Sequence, residues 1–421
     1  MMTGSKLLQC TTTMGSSESL VVLKIFEGES QLKFFHKESS SLNKVKQHFK
    51  GETFPGIIHM IDAVVLPTES PVLQEDHTSR QAHNTSRTKQ PEKRKTSPRT
   101  MIGKRAEQES LHASKDKNLL HPTQPLAYIV YEYAERLDLF TYVAARLTTG
   151  DERLTHSLFL QVLNSMSFLH HSCGLAHLDI KLENIVVDSN GLLKLIDFAY
   201  CEQRGTRMCI SKGTERYFAP EVARLFYQNQ AWHPENLGTP HTYEAEPADI
   251  FSLGILLFTI FFGQPPFSQN CLEKSPLLAF IGSGDLGIAE TFFTQHSLCR
   301  DMNARGEISL EFKALLVKML ALDPQQRVPL ASLLCEDQWM LHGPRRGGQL
   351  TMLEYRYQME ELYLELSGEG SVQQISESYQ LMNPEEHAEG ESSELTSETP
   401  NKEAFSPNEE GDGKSVEECF N

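Results

Sequence analysis

The sequence lacks any apolar stretch close to the roughly 20 residues that a membrane-spanning helix requires. Its longest apolar run, Leu253 to Phe262, has ten residues and includes a glycine. The first residues, Met1 to Cys10, contain no apolar segment that could serve as a secretory signal. The eight cysteines include no CxxC pair, which favours a reducing compartment over a disulfide framework. These absences argue against a secreted, membrane-spanning or collagen-like protein.

Negative charge is concentrated at one end of the chain. The net charge is −17, and residues 351–421 carry 18 acidic against three basic residues. This segment is poor in aliphatic residues after Leu366, so it cannot bury enough apolar surface to fold, and we expect disorder over 367–421. Just before it, apolar residues at helical spacing predict a final helix docked on the body within 344–366 (Leu350, Leu353, Tyr357, Leu362 and Leu366).

A second segment has the opposite charge. Residues 77–106 contain nine Lys or Arg and one acid, inside a polar stretch at 68–121 without apolar periodicity. We predict a flexible, solvated insertion there. No aromatic residues alternate with the basic ones, which argues against nucleic-acid binding. Contact of this insertion with the acidic tail or with regulators is an alternative. We expect a cytoplasmic protein, and the basic run at 87–105 leaves nuclear localisation open.

Short β-branched runs and helical stripes occupy different parts of the remaining chain. Three runs predict strands (Leu20 to Ile25, Ile57 to Ile61 and Tyr128 to Tyr131). Leu42 and Val45, three residues apart, predict a helix between the first two runs, and apolar stripes from Tyr133 to Leu341 predict mainly helices.

The expected fold is therefore α+β and bilobal. A small β-rich N-lobe covers 1–132, interrupted by the insertion at 68–121, and a larger α-helical C-lobe covers 133–343.

Three motifs follow one another in the second part of the chain. They are HLDIKLEN at His177 to Asn184, DFA at Asp197 to Ala199, and GTERYFAPE at Gly213 to Glu221. Together they resemble the HRDxKxxN loop, the DFG turn and the APE end of the activation segment in the eukaryotic protein-kinase family. Because three elements occur in the right order and at the right separations, the resemblance is specific. It extends over Leu20 to Leu341, apart from the insertion.

The resemblance implies ATP-dependent phosphorylation of Ser or Thr hydroxyls on protein substrates, with Mg²⁺. Asp179 would accept the proton of the substrate hydroxyl, and Lys181 would neutralise the γ-phosphate. Asn184 and Asp197 would supply oxygen ligands for Mg²⁺. Thr214 would hydrogen-bond near Asp179.

The resemblance also implies a nucleotide site between the lobes. Val21 to Lys24 matches the family's VAIK motif, so Lys24 would bind the α- and β-phosphates, with Glu38 as its helical partner. Tyr131 falls at the position between β-sheet and hinge that the family calls the gatekeeper. Further nucleotide-binding positions would be Glu132 and Ala134 in the hinge and Asp138 at the ribose hydroxyls. Val22 and Val186 would enclose the adenine ring.

Other matched residues have structural roles in the family. Asp249 would hold the backbone of the catalytic loop, and Arg327 would form a buried ion pair with Glu221. His177 and Phe198 are expected to pack between the lobes. Near the first motif, His170, His171, Cys173 and His177 could instead suggest a metal site. These residues fall at the family's helix-to-loop turn, which argues against a metal site.

The chain departs from the family most clearly at the glycine-rich loop. Gly4 can stand for the middle glycine of GxGxxG, but Leu7 occupies the third position, and Gly15 is expected in the following hairpin turn. We therefore expect an N-lobe without the family's first strand, either because the sequence begins inside the domain or because the rest of the site alone holds nucleotide. The second case leads to an alternative function, a pseudokinase scaffold or binding module with impaired nucleotide binding.

Four smaller departures follow. Leu178 replaces the Arg of HRD, so a phosphorylation switch of the usual kind is not expected. Ala199 replaces the Gly of DFG and narrows the backbone freedom of that turn. Val22 replaces a small Ala and would crowd the adenine. The long connection from Phe226 to Glu244 predicts an extra flap beside the substrate site.

Overall fold

The computed structural model describes residues 5–14, 17–51, 53–66, 124–230, 241–268 and 275–367. The insertion expected at 68–121 lies outside these residues, as does the acidic tail except for Ser367, and both stay predictions. The described part forms a small lobe built on a β-sheet, followed by a larger helical lobe. This arrangement confirms the predicted α+β fold class.

The small lobe is built on an antiparallel sheet with the strand order β1-β2-β4-β3. The strands are β1 (Lys6–Met14), β2 (Ser17–Glu27), β3 (Met60–Leu66) and β4 (Leu126–Glu132). In β4 every second residue is buried, so Ala127, Ile129 and Tyr131 lie on the face that packs against the core.

The hairpin of β1 and β2 forms the open edge of this sheet. Met14 pairs with Ser17, so the two strands are joined by two residues, at the place where the sequence predicts a turn. Leu7, at the position of the family's third glycine, pairs with Lys24 and is 65% exposed. Its place is therefore inside a regular strand.

The strand predicted at Ile57 to Ile61 is displaced toward the C-terminus, because β3 begins only at Met60. Ile57 and Ile58 are buried and contact the large lobe instead: Ile57 forms a parallel bridge with Leu195, and the Ile58 amide donates to the Leu195 carbonyl at 3.0 Å. These apolar residues join the two lobes rather than extend the sheet.

A 20-residue helix, α1 (Glu29–His48), crosses the inner face of the sheet. Phe35, Glu38, Leu42 and Val45 are buried at helical spacing, so they form one continuous inner face. Glu38 is thus a charged residue within an otherwise apolar stripe, a position that requires a partner of opposite charge.

The large lobe contains short strands and most of the helices. The strands pair in the orders β5-β7-β8, β6-β9 and β10-β11. They are β5 (Arg136–Asp138), β6 (Leu175–Ala176), β7 (Ile185–Val187), β8 (Leu193–Leu195), β9 (Glu202–Gln203), β10 (Arg207–Met208) and β11 (Tyr243–Glu244). The helices are α2 (Leu139–Ala144), α3 (Glu152–Ser167), α4 (Pro220–Gln230), α5 (Ala245–Phe262), α6 (Leu278–Ile281), α7 (Leu286–Gln295), α8 (Arg300–Ala304), α9 (Leu310–Met319), α10 (Leu330–Cys335), α11 (Gln338–His342) and α12 (Met352–Leu366).

Helix α5 forms the centre of the large lobe. It is apolar almost all round, and 83% of it is buried inside the protein. Among the described residues it is the helix with the length and hydropathy to cross a membrane, but burial on all sides is typical of a core helix in a large domain. It contacts α3 and α9 and carries Asp249 in its second turn.

The prediction of a flap from Phe226 to Glu244 is wrong at both ends, because the residues there belong to regular secondary structure. Phe226 continues helix α4 without a break, and Tyr243 and Glu244 form β11, which pairs with β10. Residues 231–240 lie outside the described residues.

The terminal helix α12 begins at Met352 and buries part of the predicted stripe: Leu366 is buried, and Leu350 and Leu362 are half-buried against the core. Tyr355, Met359 and Leu366 are buried, whereas Leu353 and Tyr357 are 79% and 66% exposed. The buried hydroxyl of Tyr355 donates to the Gly191 carbonyl at 2.7 Å. This bond satisfies the buried hydroxyl and joins α12 to the turn between β7 and β8.

A buried ion pair connects the end of the activation segment to the loop after α9. Arg327 donates to Glu221 from two nitrogens, at 2.6 and 2.7 Å, and also to the carbonyls of Ala321 and Pro247. The Arg327 side chain is 1% exposed and Glu221 is 15% exposed. The contact is the buried ion pair that the resemblance implies, and its geometry is bidentate.

We predict that Arg327→Met destabilises the protein by about 3–5 kcal/mol, because it leaves the Glu221 carboxylate buried without its cation. Urea unfolding followed by fluorescence measures the change. Arg305→Gln, which removes a fully exposed pair with Glu307, is the matched control and should leave the unfolding midpoint unchanged. Equal midpoints for both variants would contradict the structural role of the buried pair.

Candidate active site

The loop that follows β6 is fastened to helix α5 by one carboxylate. Asp249 accepts the backbone amides of His177 and Leu178, each at 2.7 Å. The ring of His170 contacts the same carboxylate at 2.9 Å, and Asp249 is completely buried. Three contacts to a single buried anion fix the backbone on which the first motif lies, in agreement with the role that the resemblance implies for Asp249.

The histidines near this loop turn toward different partners. His170 contacts Asp249, whereas His177 packs its ring at 5.2 Å from the ring of Phe198. His171 lies on the surface and contacts the carbonyl of Ser167. Among the described residues no group of three or more His, Cys, Asp or Glu side chains is arranged to hold a metal.

Four polar side chains of the first and third motifs form one cluster. Thr214 donates to Asp179 Oδ1 at 2.8 Å, and Asn184 donates to Asp179 Oδ2 at 2.9 Å. Lys181 lies 2.9 Å from Thr214 Oγ1 and 3.4 Å from Asp179 Oδ2. Both carboxylate oxygens of Asp179 are thus oriented by neutral donors, with one ammonium group beside them.

A glycine makes the approach of Thr214 to Asp179 sterically allowed. Gly213 has φ = +101°, and a Cβ atom at this position would lie 2.3 Å from the carbonyl oxygen of Leu178. Any larger residue would therefore push the third motif away from the first.

The two side chains expected to bind a metal occur on adjacent loops. The amide of Ile196, the residue before Asp197, donates to the Asn184 carbonyl at 3.0 Å. Because Asn184 uses its amide nitrogen to bind Asp179, its side-chain oxygen is available as a ligand. Lys24 and the Ala199 amide both bind Oδ1 of Asp197, so neither engages Oδ2. An amide oxygen and a carboxylate oxygen are a donor set that suits Mg²⁺.

The ammonium of Lys24 lies between two carboxylates from different parts of the chain. Its Nζ is 2.8 Å from Glu38 Oε2 and 2.9 Å from Asp197 Oδ1. The Tyr131 hydroxyl donates to the other oxygen of Glu38 at 2.6 Å. The structure therefore brings together the strand lysine, the helix glutamate and the DFA aspartate that the sequence analysis named.

Burial and ion pairing shift the pKa values of Lys24, Glu38 and Asp197 in opposite directions. Burial alone would lower the pKa of Lys24, but Glu38 and Asp197 outweigh it and hold that pKa above 10.5. Burial is also the largest influence on Glu38, whose pKa is raised above 4.5 in spite of Lys24. For Asp197 the neighbouring Lys24 outweighs burial, and its pKa lies below 3.8.

The side chains of two residues predicted to bind nucleotide, Glu132 and Asp138, already have hydrogen-bond partners within the protein. The Glu132 carboxylate accepts from Lys194 at 2.9 Å and from the His59 amide at 2.7 Å, so its side chain is engaged away from the hinge backbone. Asp138 caps helix α2 by accepting from the amide and hydroxyl of Thr141, at 2.9 and 2.7 Å. Ala134 lies between them in an irregular segment.

The two residues predicted to enclose adenine lie on opposite lobes. Val22 is in β2 opposite Tyr131, and Val186 is in β7 opposite Asp138. Both are half-buried at the surface between the sheet and the large lobe.

Leu178 and Ala199, which depart from the family pattern, are both buried. Leu178 has φ = +65° and Asp197 has φ = +62°, so the two motifs contain non-glycine residues in the left-handed region. Ala199 is not among the residues with positive φ, which is why an alanine is tolerated there.

Sequence reasoning missed the hydrogen bond between Tyr131 and Glu38. Tyr131 was recognised by its position, but nothing in the sequence indicated that its hydroxyl is directed at a carboxylate 93 residues away. The alternation of buried residues in β4 places Tyr131 on the core face, and this was the available signal that its hydroxyl needs a partner.

We predict that Lys24→Met destabilises the protein more at pH 8 than at pH 5. In the variant the buried Glu38 loses its cation, so its pKa rises further above 4.5 and folding favours its neutral form. The free energy of unfolding of Lys24→Met should be about 3 kcal/mol lower than that of the unaltered protein at pH 8. The difference should shrink as falling pH protonates Glu38. Urea unfolding at both pH values measures it. Lys33→Met, at an exposed position of α1, is the control, and a deficit that grows toward acid would contradict the pairing.

Comparison with known proteins gives a consistent result. A family model described as the protein kinase domain matches residues 88–340, more than half of the chain. The chain is similar to serine/threonine-protein kinase CHK1 of Saccharomyces cerevisiae, with 33% identity over 213 residues, 49% of this chain and 35% of that protein. The human SNF-related serine/threonine-protein kinase is 30% identical over 211 residues, 49% of this chain and 23% of that protein.

A third relative is the zebrafish maternal embryonic leucine zipper kinase, 33% identical over 150 residues, 34% of this chain and 20% of that protein. The matched region thus spans only 20–35% of the length of these three relatives. The family match itself covers the three motifs and Asp249 and Arg327. The chain belongs to the protein kinase family, and the relatives it resembles are serine/threonine kinases.

Proposed function

We propose that this protein transfers the γ-phosphoryl group of ATP to Ser or Thr hydroxyls of protein substrates. The observation that carries the proposal is the pair of preassembled clusters, Lys24 with Glu38 and Asp197, and Asp179 with Lys181 and Thr214. Phosphoryl transfer depends mainly on positioning and charge neutralisation, and these clusters supply both.

Asp179 is the proposed catalytic base. Thr214 and Asn184 donate to its two oxygens, which orients the carboxylate toward a substrate hydroxyl in line with the γ-phosphate. Asp179 takes the hydroxyl proton as the oxygen attacks phosphorus and ADP leaves. Lys181, beside Asp179 and Thr214, neutralises charge on the transferred group.

Lys24 is proposed to bind the α- and β-phosphates. Glu38 fixes the Lys24 ammonium, and Tyr131 in turn holds the second oxygen of Glu38. Asn184 and Asp197 would hold Mg²⁺, which when bound neutralises phosphate charge and orients the nucleotide. The oxygen donors of these two residues fit that ion.

The remaining nucleotide contacts are proposed for the hinge and its surroundings. The backbone of Glu132 and Ala134 would bind the adenine edge, because the Glu132 carboxylate is already engaged with Lys194. Val22 and Val186 would enclose the ring from the two lobes. Asp138 would contact the ribose with the oxygen that does not cap α2.

The first test is a phosphorylation assay with γ-labelled ATP, Mg²⁺ and a generic basic protein. We expect Asp179→Asn to lower the rate about 10²- to 10⁴-fold, because the base is lost while the shape of the side chain is kept. Removing Mg²⁺ with EDTA should abolish the reaction. Thermal unfolding of each variant checks that it is folded.

The matched control for this assay is Asp301→Asn, at an exposed position of α8. Its rate should equal that of the unaltered protein. If Asp179→Asn and the unaltered protein phosphorylate the substrate at the same rate, the activity comes from a contaminating kinase and the proposal is refuted.

A second candidate function is a kinase-like scaffold that binds partners without catalysis. It is favoured by one observation: within the described residues no glycine-rich loop precedes Lys24, and Leu7 lies in a regular strand. Against it, a scaffold has no need for Asp179, Asn184 and Thr214 to be joined by hydrogen bonds.

A thermal-shift titration with Mg·ATP separates the two candidates. A kinase should be stabilised as ligand concentration rises, because binding to the folded state alone raises its apparent stability by about 2.7 kcal/mol at 100 times Kd. The shift should vanish in Lys24→Met and persist in Lys33→Met. A melting temperature unchanged in millimolar Mg·ATP would favour the scaffold.

The proposed partners are protein substrates. Binding of regulators by the basic insertion at 68–121 and the acidic tail at 367–421, or contact between the two, stays a prediction, since these segments lie outside the described residues apart from Ser367. Cytoplasmic localisation, with nuclear entry through residues 87–105, is likewise proposed and is measurable by imaging a tagged chain with and without that run.

A further inference from the structure

One carboxylate in the activation segment is shared by two lysines from different elements. Glu202, in β9, has its Oε2 at 2.8 Å from the Nζ of Lys37 and its Oε1 at 2.6 Å from the Nζ of Lys212. Lys37 belongs to helix α1 and Lys212 to the segment before the third motif. The Glu202 and Lys212 side chains are 20% exposed and that of Lys37 is 37% exposed, so the bond to Lys212 is the better shielded from water.

The backbone beneath Glu202 is fixed independently of these lysines. Glu202 pairs with Ala176 in the β6–β9 ladder, directly before the catalytic loop. Two residues further on, Arg204 donates to both oxygens of Glu246 at 2.8 and 2.9 Å and to the His170 carbonyl at 3.0 Å. The main chain that carries Glu202 is therefore held by contacts that involve neither lysine.

Each lysine is a neighbour of a residue in the proposed machinery. Lys37 precedes Glu38, which binds Lys24. Lys212 lies two residues before Thr214, which binds Asp179. Glu202 thus connects the cluster that would hold the phosphates to the cluster that would hold the substrate hydroxyl.

We propose that Glu202 is a positioning residue that holds α1 and the 212–214 segment in the catalytically competent arrangement without a phosphate on the activation segment. This inference rests on the proposed kinase function. The carboxylate supplies permanently the negative charge between two cations that a phosphate would supply only after modification.

Two further observations agree with this role. Lys37 and Lys212 outweigh burial and lower the pKa of Glu202 below its usual 4.5, so the group is ionised at neutral pH. Leu178 is apolar and buried, so the catalytic loop offers no cation there to a phosphate on Thr206 or Ser211.

The test compares steady-state kinetics of Glu202→Gln, Glu202→Asp and the unaltered protein. Glu202→Gln keeps the shape but loses the charge, and kcat should fall about tenfold, the loss typical of one charge-assisted hydrogen bond. KM for ATP should change less than about threefold, because Lys24 and the hinge still bind the nucleotide. Glu202→Asp should recover part of kcat. A purely structural role would instead lower the active fraction equally in both variants.

Coupling between Glu202 and its partners is measured by a double-mutant cycle. Lys37→Met should lower kcat on its own but have little further effect in the Glu202→Gln background. Glu244→Gln removes another carboxylate beside the activation segment, one that is 42% exposed and 3.7 Å from Arg207, and should leave kcat unchanged. Fully additive effects of Glu202→Gln and Lys37→Met would contradict the bridge.

The second arm asks whether phosphate is needed. Phosphatase treatment of the unaltered protein, and the variants Thr206→Ala and Ser211→Ala, should leave kcat within twofold. Activity that disappears after phosphatase treatment, or a Glu202→Gln variant as active as the unaltered protein, would overturn the inference.

A third arm does not depend on activity. Hydrogen exchange of the amides in residues 206–213 should be faster in Glu202→Gln and unchanged in Glu244→Gln. If the unaltered protein has no kinase activity, the proposed function fails but this measurement still decides the positioning role. Equal exchange in Glu202→Gln and the unaltered protein would refute it.

Discussion

The buried ammonium of Lys24 is the interaction on which the site depends. It lies between Glu38 and Asp197, which belong to a helix of the small lobe and a loop of the large one. Each of these charges alone would be costly to bury, and together they compensate one another only when the two lobes meet at this point. The contacts of Lys24 with Glu38 and Asp197 therefore set the position of α1 relative to the DFA turn, on which the proposed nucleotide site depends.

Asp249 fixes the backbone of the first motif, whereas Lys24 compensates the buried charges. Its two oxygens hold the amides of consecutive residues, His177 and Leu178, so the loop carrying Asp179 has little freedom left. Leu178 adopts a left-handed backbone there, and its carbonyl lies where a glycine is needed at position 213. A fully buried carboxylate in the central helix thus determines how close Thr214 comes to Asp179, although Asp249 touches neither residue's side chain.

The sequence predicted best those parts of the site whose geometry is local. The first motif spans eight residues, and its resemblance to the HRDxKxxN loop implies that Asp179, Lys181 and Asn184 belong to one site. Lys24 and Glu38 were identified through the resemblance, Lys24 from the match of Val21 to Lys24 to the VAIK motif and Glu38 as the helical partner that the family pairs with it. Contacts between distant surfaces had no such signal: α12 buries Tyr355 and leaves Leu353 exposed, and the Tyr355 hydroxyl donates to the carbonyl of Gly191, which is far away in sequence. Similarly, β3 starts after Ile57 and Ile58, because these residues pack against the other lobe.

The replacement of Arg by Leu at position 178 and the bridge at Glu202 are physically consistent with each other. An arginine at 178 would be buried, and the carboxylate of Glu202 is already shared by Lys37 and Lys212. Such an arginine would need a further anion, which a phosphate could provide but Glu202 could not. With leucine at 178 the loop needs no added charge, and the arrangement of the activation segment follows from the amino-acid sequence itself.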